Sequence, residues 1–364
     1  MKRTLKTYKL EMKVLGPVFI GSGNEIKKKE YIFLKPDLIG VTDPARLYNF
    51  AKKKGLRADL EKFLVQDTRE SLAQWRMRNK ISMNEMNACM KYVVNTGDIQ
   101  KGNMQIMSCM KDPYGNPYVP GSSVKGMLRT ILLGAEILAD SGRYARPARN
   151  AEDELRTQNQ KRNRLLTRSA ESLENSFFHT EKRTEKGKDE MLDWMSGVIV
   201  SDSEPLSMED VILCQKWDQH VKGECKSLNL LRECLKPGTV IHCDLTIDET
   251  MCHFTGEDIM EAVKRFYDNY YETYQSKFPK NDRGSDRTVF LGGGSGFVSK
   301  TVIYDLFHGS KAVEITQEIL KRTGDPRQPK NAKDIRMGIS PHILKCTFYQ
   351  GKQYMMGQCE INIC

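Results

Sequence analysis

A mixed α+β fold is what the sequence predicts, and three observations predict it. Residues alternate apolar and polar near both ends of the chain, apolar residues recur every three to four positions between them, and glycine-rich breaks mark where one period gives way to the other. At 364 residues the chain has room for two ordinary domains or one duplicated domain.

Taken in order, Tyr8, Leu10, Met12 and Val14 alternate with Lys9, Glu11 and Lys13, which predicts a half-buried strand over about residues 7–19. It runs into Gly21-Ser22-Gly23-Asn24-Glu25, read as a loop that lets backbone approach a ligand, and a second strand follows at 30–34. Residues 44–88 carry Leu47, Phe50, Ala51, Leu56, Leu60, Phe63 and Leu64 at helical spacing, so a helical insertion separates the early strands. A strand at 103–110 and the turn Asp112-Pro113-Tyr114-Gly115-Asn116-Pro117 deliver the stretch YVPGSSVKGMLRTILL at 118–133. Residues 197–201 (GVIVS) predict a strand, 238–247 an alternating strand, and 257–274 a helix whose Ile259, Val263, Phe266, Tyr267 and Tyr270 are spaced for packing. A short strand at 288–291 enters Gly292-Gly293-Gly294-Ser295-Gly296. Residues 341–348 and 354–363, joined through Gln350-Gly351-Lys352, read as a closing hairpin.

Composition narrows the function. With 39% hydrophobic and 29% charged residues the chain has a soluble profile, and its longest apolar stretch is too short to cross a membrane. No export signal opens it, so a cytoplasmic protein with its 10 cysteines reduced is expected. Cys225, Cys234, Cys243 and Cys252 are evenly spaced, but that interval crosses a Lys236-Pro237-Gly238 turn and yields no compact ligand set, so buried thiols and no metal are expected. The net charge of +10 suits an anionic partner. Cations gather at Arg143, Arg146, Arg149, Arg156, Lys161, Arg162, Arg164 and Arg168, either as a solvated run or as phosphate contacts.

The segment after Pro120-Gly121 carries the most chemistry. Ser122 or Ser123 is expected to cap a helix whose free N–H groups favour an anion. Lys125 and Arg129 share one face, while Val124, Met127, Leu128, Ile131 and Leu132 form the buried one. An ordinary capped helix with two solvated cations is the alternative.

Pro120, Gly121, Ser122, Ser123, Lys125, Gly126 and Arg129 together resemble the P-G-S-S-x-K-G-x-x-R signature of the RAMP superfamily of CRISPR proteins, in which this loop and helix start touch guide RNA. The opening VLGPVFIGSGNE, the VSDS at 200–203 and LGGGSGFVSKT at 291–301 are similar to family segments and occur in the family's order. Together they resemble the RAMP subunit of type III-A (Csm) effectors that caps the complex at the 3′ end of the guide, crRNA. The resemblance implies two ferredoxin-like (RRM-like) halves: 1–195 with helical insertions at about 44–95 and 143–190, and 196–364 with the glycine-rich loop. It implies a non-catalytic crRNA-binding subunit that supports crRNA maturation in antiviral defence and needs no cofactor. Its partners would be crRNA, the backbone RAMP subunit, the small helical subunit, a target RNA nearby and recruited cellular nucleases, with no membrane. The RNA-binding residues would be Gly21, Ser22, Gly23, Ser122, Ser123, Lys125, Arg129, Gly292, Gly293, Gly294, Ser295 and Lys300.

Two enzymatic alternatives stay open. Gly294–Thr301 nearly spells the phosphate loop G-x-x-x-x-G-K-[ST], except that Ser299 stands where the second glycine belongs, and a β-branched run follows where a helix should start. A stand-alone endoribonuclease would need an acid–base group, yet Phe19 stands where family members often carry His, and the first histidine of the chain is His179. A loop aspartate with a metal, as in backbone RAMP subunits, could be Asp37 or Asp43. Nothing in the spacing selects either, so no catalytic residue is named.

Overall fold

The computed structural model describes residues 4–66, 70–100, 104–157, 164–183, 189–324 and 331–364. Its class is the mixed α+β expected. Six elements form a unit in the order β-α-β-β-α-β: β1 (Leu5–Val14), α1 (Gly121–Ala139), β2 (Val198–Val200), β3 (Val240–Asp248), α2 (Gly256–Thr273) and β4 (Gln358–Ile363). Their sheet runs β4-β1-β3-β2, every neighbour antiparallel, with a short strand Thr288–Phe290 added beside β4. That is the ferredoxin-like arrangement, and it takes strands from both sides of residue 195.

The local reasons are visible in the side chains. In β1, Leu10, Met12 and Val14 are buried against exposed Lys9, Glu11 and Lys13, so the period-two pattern sets which face meets the helices. In β3, Ile241, Cys243, Leu245 and Ile247 do the same. The helices press Val124, Leu128, Ile131 and Leu132 of α1 and Ile259, Val263 and Phe266 of α2 into one core. They cross closely at Gly134, where an added Cβ would come within 2.5 Å of the Phe266 ring.

A second, nine-stranded sheet runs through Gly21–Ile26, Gln105–Cys109, Cys225–Leu235, Val211–His220, Met90–Thr96, Leu38–Thr42 and Tyr31–Lys35. Ile343–Tyr349 pairs with the far half of Val211–His220, and Lys352–Met355 pairs with it in turn. The closing hairpin is therefore shorter than expected. The chain leaves it at Gly357, in the left-handed region at φ +78°, whose N–H donates to Pro17 O while its C=O accepts from Leu291 N–H. Residues 358–363 then enter the other sheet as β4. The helices of 44–87 bury their own apolar set, centred on Trp75 stacked 5.7 Å from Phe63.

The expected strand at 103–110 is Gln105–Cys109, and residue 103 lies outside the described residues. The basic run is largely two helices, Ala145–Arg156 and Thr167–Phe178, and not an extended solvated loop. Arg143 pairs with Glu136, and Arg156 with Glu152, whereas Arg146, Arg149, Arg164 and Arg168 are exposed. Lys161 and Arg162 lie outside the described residues. All ten cysteines are free and eight are buried, which agrees with a packing role. Among the described residues no helix is long and apolar enough to cross a membrane.

Candidate nucleic-acid interface

Where the two sheets meet, the crossover at 15–21 and the glycine loop after Thr288–Phe290 are stitched together by Gly293 N–H donating to Phe19 O (2.6 Å). Beside them lies a cleft of about 370 Å³ lined by Ile20, Gly21, Ser123, Gly126, Met127, Thr130, Gly292, Gly293, Ser299 and Lys300, with Phe290 at its base. Segments some 100 and 270 positions from the first glycine loop thus share one concave wall. Four of these eleven residues are glycine, so bare backbone is exposed among the side chains of the wall.

Phe19 explains the glycines. Its ring is buried, and a Cβ on Gly21 or Gly293 would come within 2.9 Å of it. On Gly292, at φ +79°, a Cβ would lie 2.3 Å from Phe19 O, so both the conformation and the close approach require glycine there. The Arg232 guanidinium stacks 5.3 Å from the Phe19 ring centroid and lies against Gly294, whose added Cβ would meet Nη1 at 2.3 Å. Sequence reasoning missed Arg232. It sits in Cys225–Leu235, and its one trace is a cation within a strand of Leu and Cys.

The electrostatics favour an anion. The buried Nε of Arg232 has no hydrogen-bond partner among the described residues, and burial lowers the pKa of its guanidinium. Burial, and then the charge of Arg232, also lower the pKa of Lys300 at the cleft rim. Neither cation has an ion-pair partner among the described residues, so an incoming anion would meet charge not already neutralised. On the neighbouring position Glu233 is buried but satisfied by Tyr92 Oη–H, Cys109 N–H and the Lys111 ammonium, which makes it a structural anchor.

The other expected site residues divide. Ser22 and Gly23 are not in a free loop: Gly21–Ile26 is a strand with a register break between Gly21 and Glu25. Ser22 Oγ donates to Ser108 O (3.1 Å) and Gly23 takes φ +83°, which absorbs the extra residues as a bulge. Ser295 is only 2% exposed and its hydroxyl donates to Gly292 O (3.2 Å), so it braces the glycine loop from inside. Ser122 and Ser123 do not cap α1. The helix starts at Gly121, whose N–H donates to Asp202 Oδ1 (2.8 Å), so the anion at this helix start is the carboxylate of VSDS. Gly121 is required because a Cβ would lie 2.1 Å from Val200 O. Lys125 and Arg129 lie off the cleft wall. Arg129 donates to Glu174 and Asp193 (2.9 and 3.0 Å) with its guanidinium 3.9 Å over Phe178, and Lys125 is half-buried with Asp193 among its charged neighbours.

The phosphate-loop and metal alternatives have a shape as well. Val298–Lys300 is a single 3₁₀ turn, Ser299 Oγ donates to Ser295 O (3.0 Å), and the helix that follows, Ile303–Leu306, is one turn long. It offers no extended helix start to a triphosphate. Asp43 caps Pro44–Lys53 through Ala45 and Arg46 N–H, bonds that lower its carboxyl pKa. No group of three or more His, Cys, Asp or Glu among the described residues could hold a metal ion.

The chain resembles proteins of one kind over its whole length. It is 29% identical to the Mycobacterium tuberculosis (strain CDC 1551 / Oshkosh) CRISPR system Cms protein Csm5, covering 100% of this chain and 99% of that one. It is 28% identical to the Streptococcus thermophilus Csm5, covering 83% and 82%. In three dimensions it matches a chain of a type III-A Csm–crRNA–target RNA ternary complex (TM-score 0.66, 20% identity, 98% of this chain and 100% of that one). The crystal structure of T. onnurineus Csm5 matches at TM-score 0.60, with 17% identity and 96% and 99% covered. The model of the RAMP superfamily matches residues 11–299, most of the chain, and the chain belongs to that superfamily.

Proposed function

We propose that this chain is the Csm5-type RAMP subunit of a type III-A CRISPR effector, where it holds the 3′ portion of crRNA and caps the complex. The observation that carries the reading is the convergence of Gly21, Ser123, Gly292, Gly293 and Lys300 on one cleft, with Arg232 behind its glycine wall and neither cation in an ion pair among the described residues. Backbone amides, hydroxyls and unneutralised cations are the chemistry that positions a phosphate backbone without reading sequence. The role is architectural. Docking on the backbone RAMP subunit and the small helical subunit, proximity to target RNA, and recruitment of a cellular nuclease for crRNA maturation belong to this reading, which the full-length likeness to Csm5 chains supports.

The test is fluorescence anisotropy with single-stranded RNA. Wild type is expected to bind with affinity that falls steeply with salt. The double variant Lys300→Ala, Arg232→Gln is expected to lose on the order of 1.5 kcal/mol, the worth of the charged contact at Lys300, and to show a salt slope shallower by about 0.7 for that lost phosphate contact. In a reconstituted complex, photocrosslinks from the cleft should map to the 3′ end of the guide. Wild-type affinity in the double variant, or crosslinks confined to the 5′ end, would overturn the assignment.

A further inference from the structure

Thr130 and Lys300 belong to two cavities at once. One side of this shared wall faces the glycine-lined cleft. The other faces a second pocket, of about 260 Å³, between α1, the helices Ala145–Arg156 and Thr167–Phe178, and the 301–306 segment. The two differ in chemistry. Where the first is glycine backbone, hydroxyl and cation, the second is walled by Leu133, Leu166, Leu173, Val302 and Leu306, with Ala170 exposed at its mouth.

The rim of this apolar pocket is rigid. Arg129 is held by Glu174, Asp193 and the Phe178 ring, and its guanidinium and the Glu174 carboxylate form one edge. Thr130 Oγ1 donates back to Gly126 O (3.3 Å), which leaves its oxygen lone pairs turned outward as acceptors, and Lys300 supplies a donor without an ion-pair partner among the described residues. A nucleotide has the same two-part character, an anionic phosphate joined to a flat and mostly apolar ring with polar edges. An apolar side chain from a neighbouring protein would fill the greasy walls but make no use of the cation and hydroxyl on the shared partition.

We propose that the apolar pocket takes one unstacked nucleobase of the RNA strand whose backbone runs through the adjoining glycine-lined cleft, an inference that rests on the RNA-binding reading above. The pocket is aliphatic, so it accepts the base by burial and tolerates its identity, in contrast to aromatic platforms that stack several bases in series.

The experiment uses the full chain and three probes: a single-stranded RNA, the same strand with abasic riboses throughout, and strands carrying 2-aminopurine at successive positions. Wild type is expected to bind the base-bearing strand about tenfold more tightly than the abasic strand, the worth of roughly 55 Å² of apolar area removed from water, and to brighten 2-aminopurine at one position. Ala170→Leu, an exposed helix position that closes the mouth without touching the cleft, should abolish the brightening and the tenfold preference while the abasic affinity and the salt slope stay as in wild type. Equal wild-type affinity for the base-bearing and abasic strands overturns the base pocket but leaves backbone binding standing. So does brightening retained in Ala170→Leu, the result expected if a protein side chain is the true occupant. Failure of wild type to bind either strand would overturn both.

Discussion

Replacing Asp305 by Asn should make the protein more stable at pH 8 and barely change it near pH 4. Asp305 sits in Ile303–Leu306 at 3% exposure, wedged between Gly134 of α1 and α2, where Asn269 Nδ2 donates to its carboxylate (2.7 Å). Burial pushes its pKa up to about 7, and the Asn269 bond opposes part of that rise. In the unfolded chain the group titrates near an ordinary value of about 3.9. The folded state therefore holds the proton more tightly. The contribution of the neutral group is present in full below about pH 4, declines as pH rises, and is gone above the folded pKa of about 7. At about 1.4 kcal/mol per pH unit the decline amounts to roughly 3 kcal/mol between pH 5 and 8. Asparagine keeps the shape and cannot ionise, so urea unfolding of the two proteins should give midpoints that diverge with rising pH, the variant becoming the more stable. A pH-independent difference, or a variant less stable at pH 8, would refute the claim that this carboxyl is buried with too little compensation.

Other expectations concern the junction. Gly121→Ala should destabilise the fold by about 2 kcal/mol or more, because a Cβ cannot clear Val200 O. Chemical denaturation reads this, and an unchanged midpoint would mean that the helix start is not clamped against β2. The homogeneous protein is expected to leave labelled crRNA and complementary target intact with or without Mg²⁺ or Mn²⁺, and calorimetry with ATP should show no binding that depends on Lys300. Cleavage that copurifies and disappears on changing Asp37 or Asp43 would make it an enzyme.

What was legible in the sequence is what local periodicity encodes. The alternation of Leu10, Met12 and Val14 and the apolar stripe of Val124, Leu128, Ile131 and Leu132 each predict a buried face, and each face is buried. Which strands become neighbours is a different matter. β1 pairs Met12 with Ile241 and with Ile361, partners more than 200 positions away that alternation cannot select. The crossing of the chain between sheets at Gly357 leaves only a local mark, Met355-Met356-Gly357 ahead of the alternating 358–363, and that mark does not say which sheet the strand joins. At the site, glycines announce close approach but not what approaches. Gly294 yields to Arg232 and Gly121 to the backbone of Val200, and neither partner stands within 60 residues of the glycine it explains. The ion pairs of Arg129 were illegible because its carboxylates, Glu174 and Asp193, stand 45 and 64 positions away and are brought round only by later elements.

Phe19 governs what the cleft can do. Its ring fills the space between two glycine segments, sets how closely the 15–21 crossover and the 291–294 loop approach, and supports the guanidinium of Arg232 from below. An imidazole at this position would bring a titrating nitrogen to the junction, with proton-transfer capacity typically worth about 10²- to 10⁴-fold in rate. A phenyl ring brings packing and a cation–π contact of about 1 kcal/mol. The residue best placed to touch both glycine segments therefore contributes position and charge support, and the cleft it organises presents backbone, hydroxyls and Lys300, with Arg232 behind the glycine wall. Such a surface has the chemistry that positions a phosphate backbone without reading its sequence, and the proposed capping role rests on that chemistry.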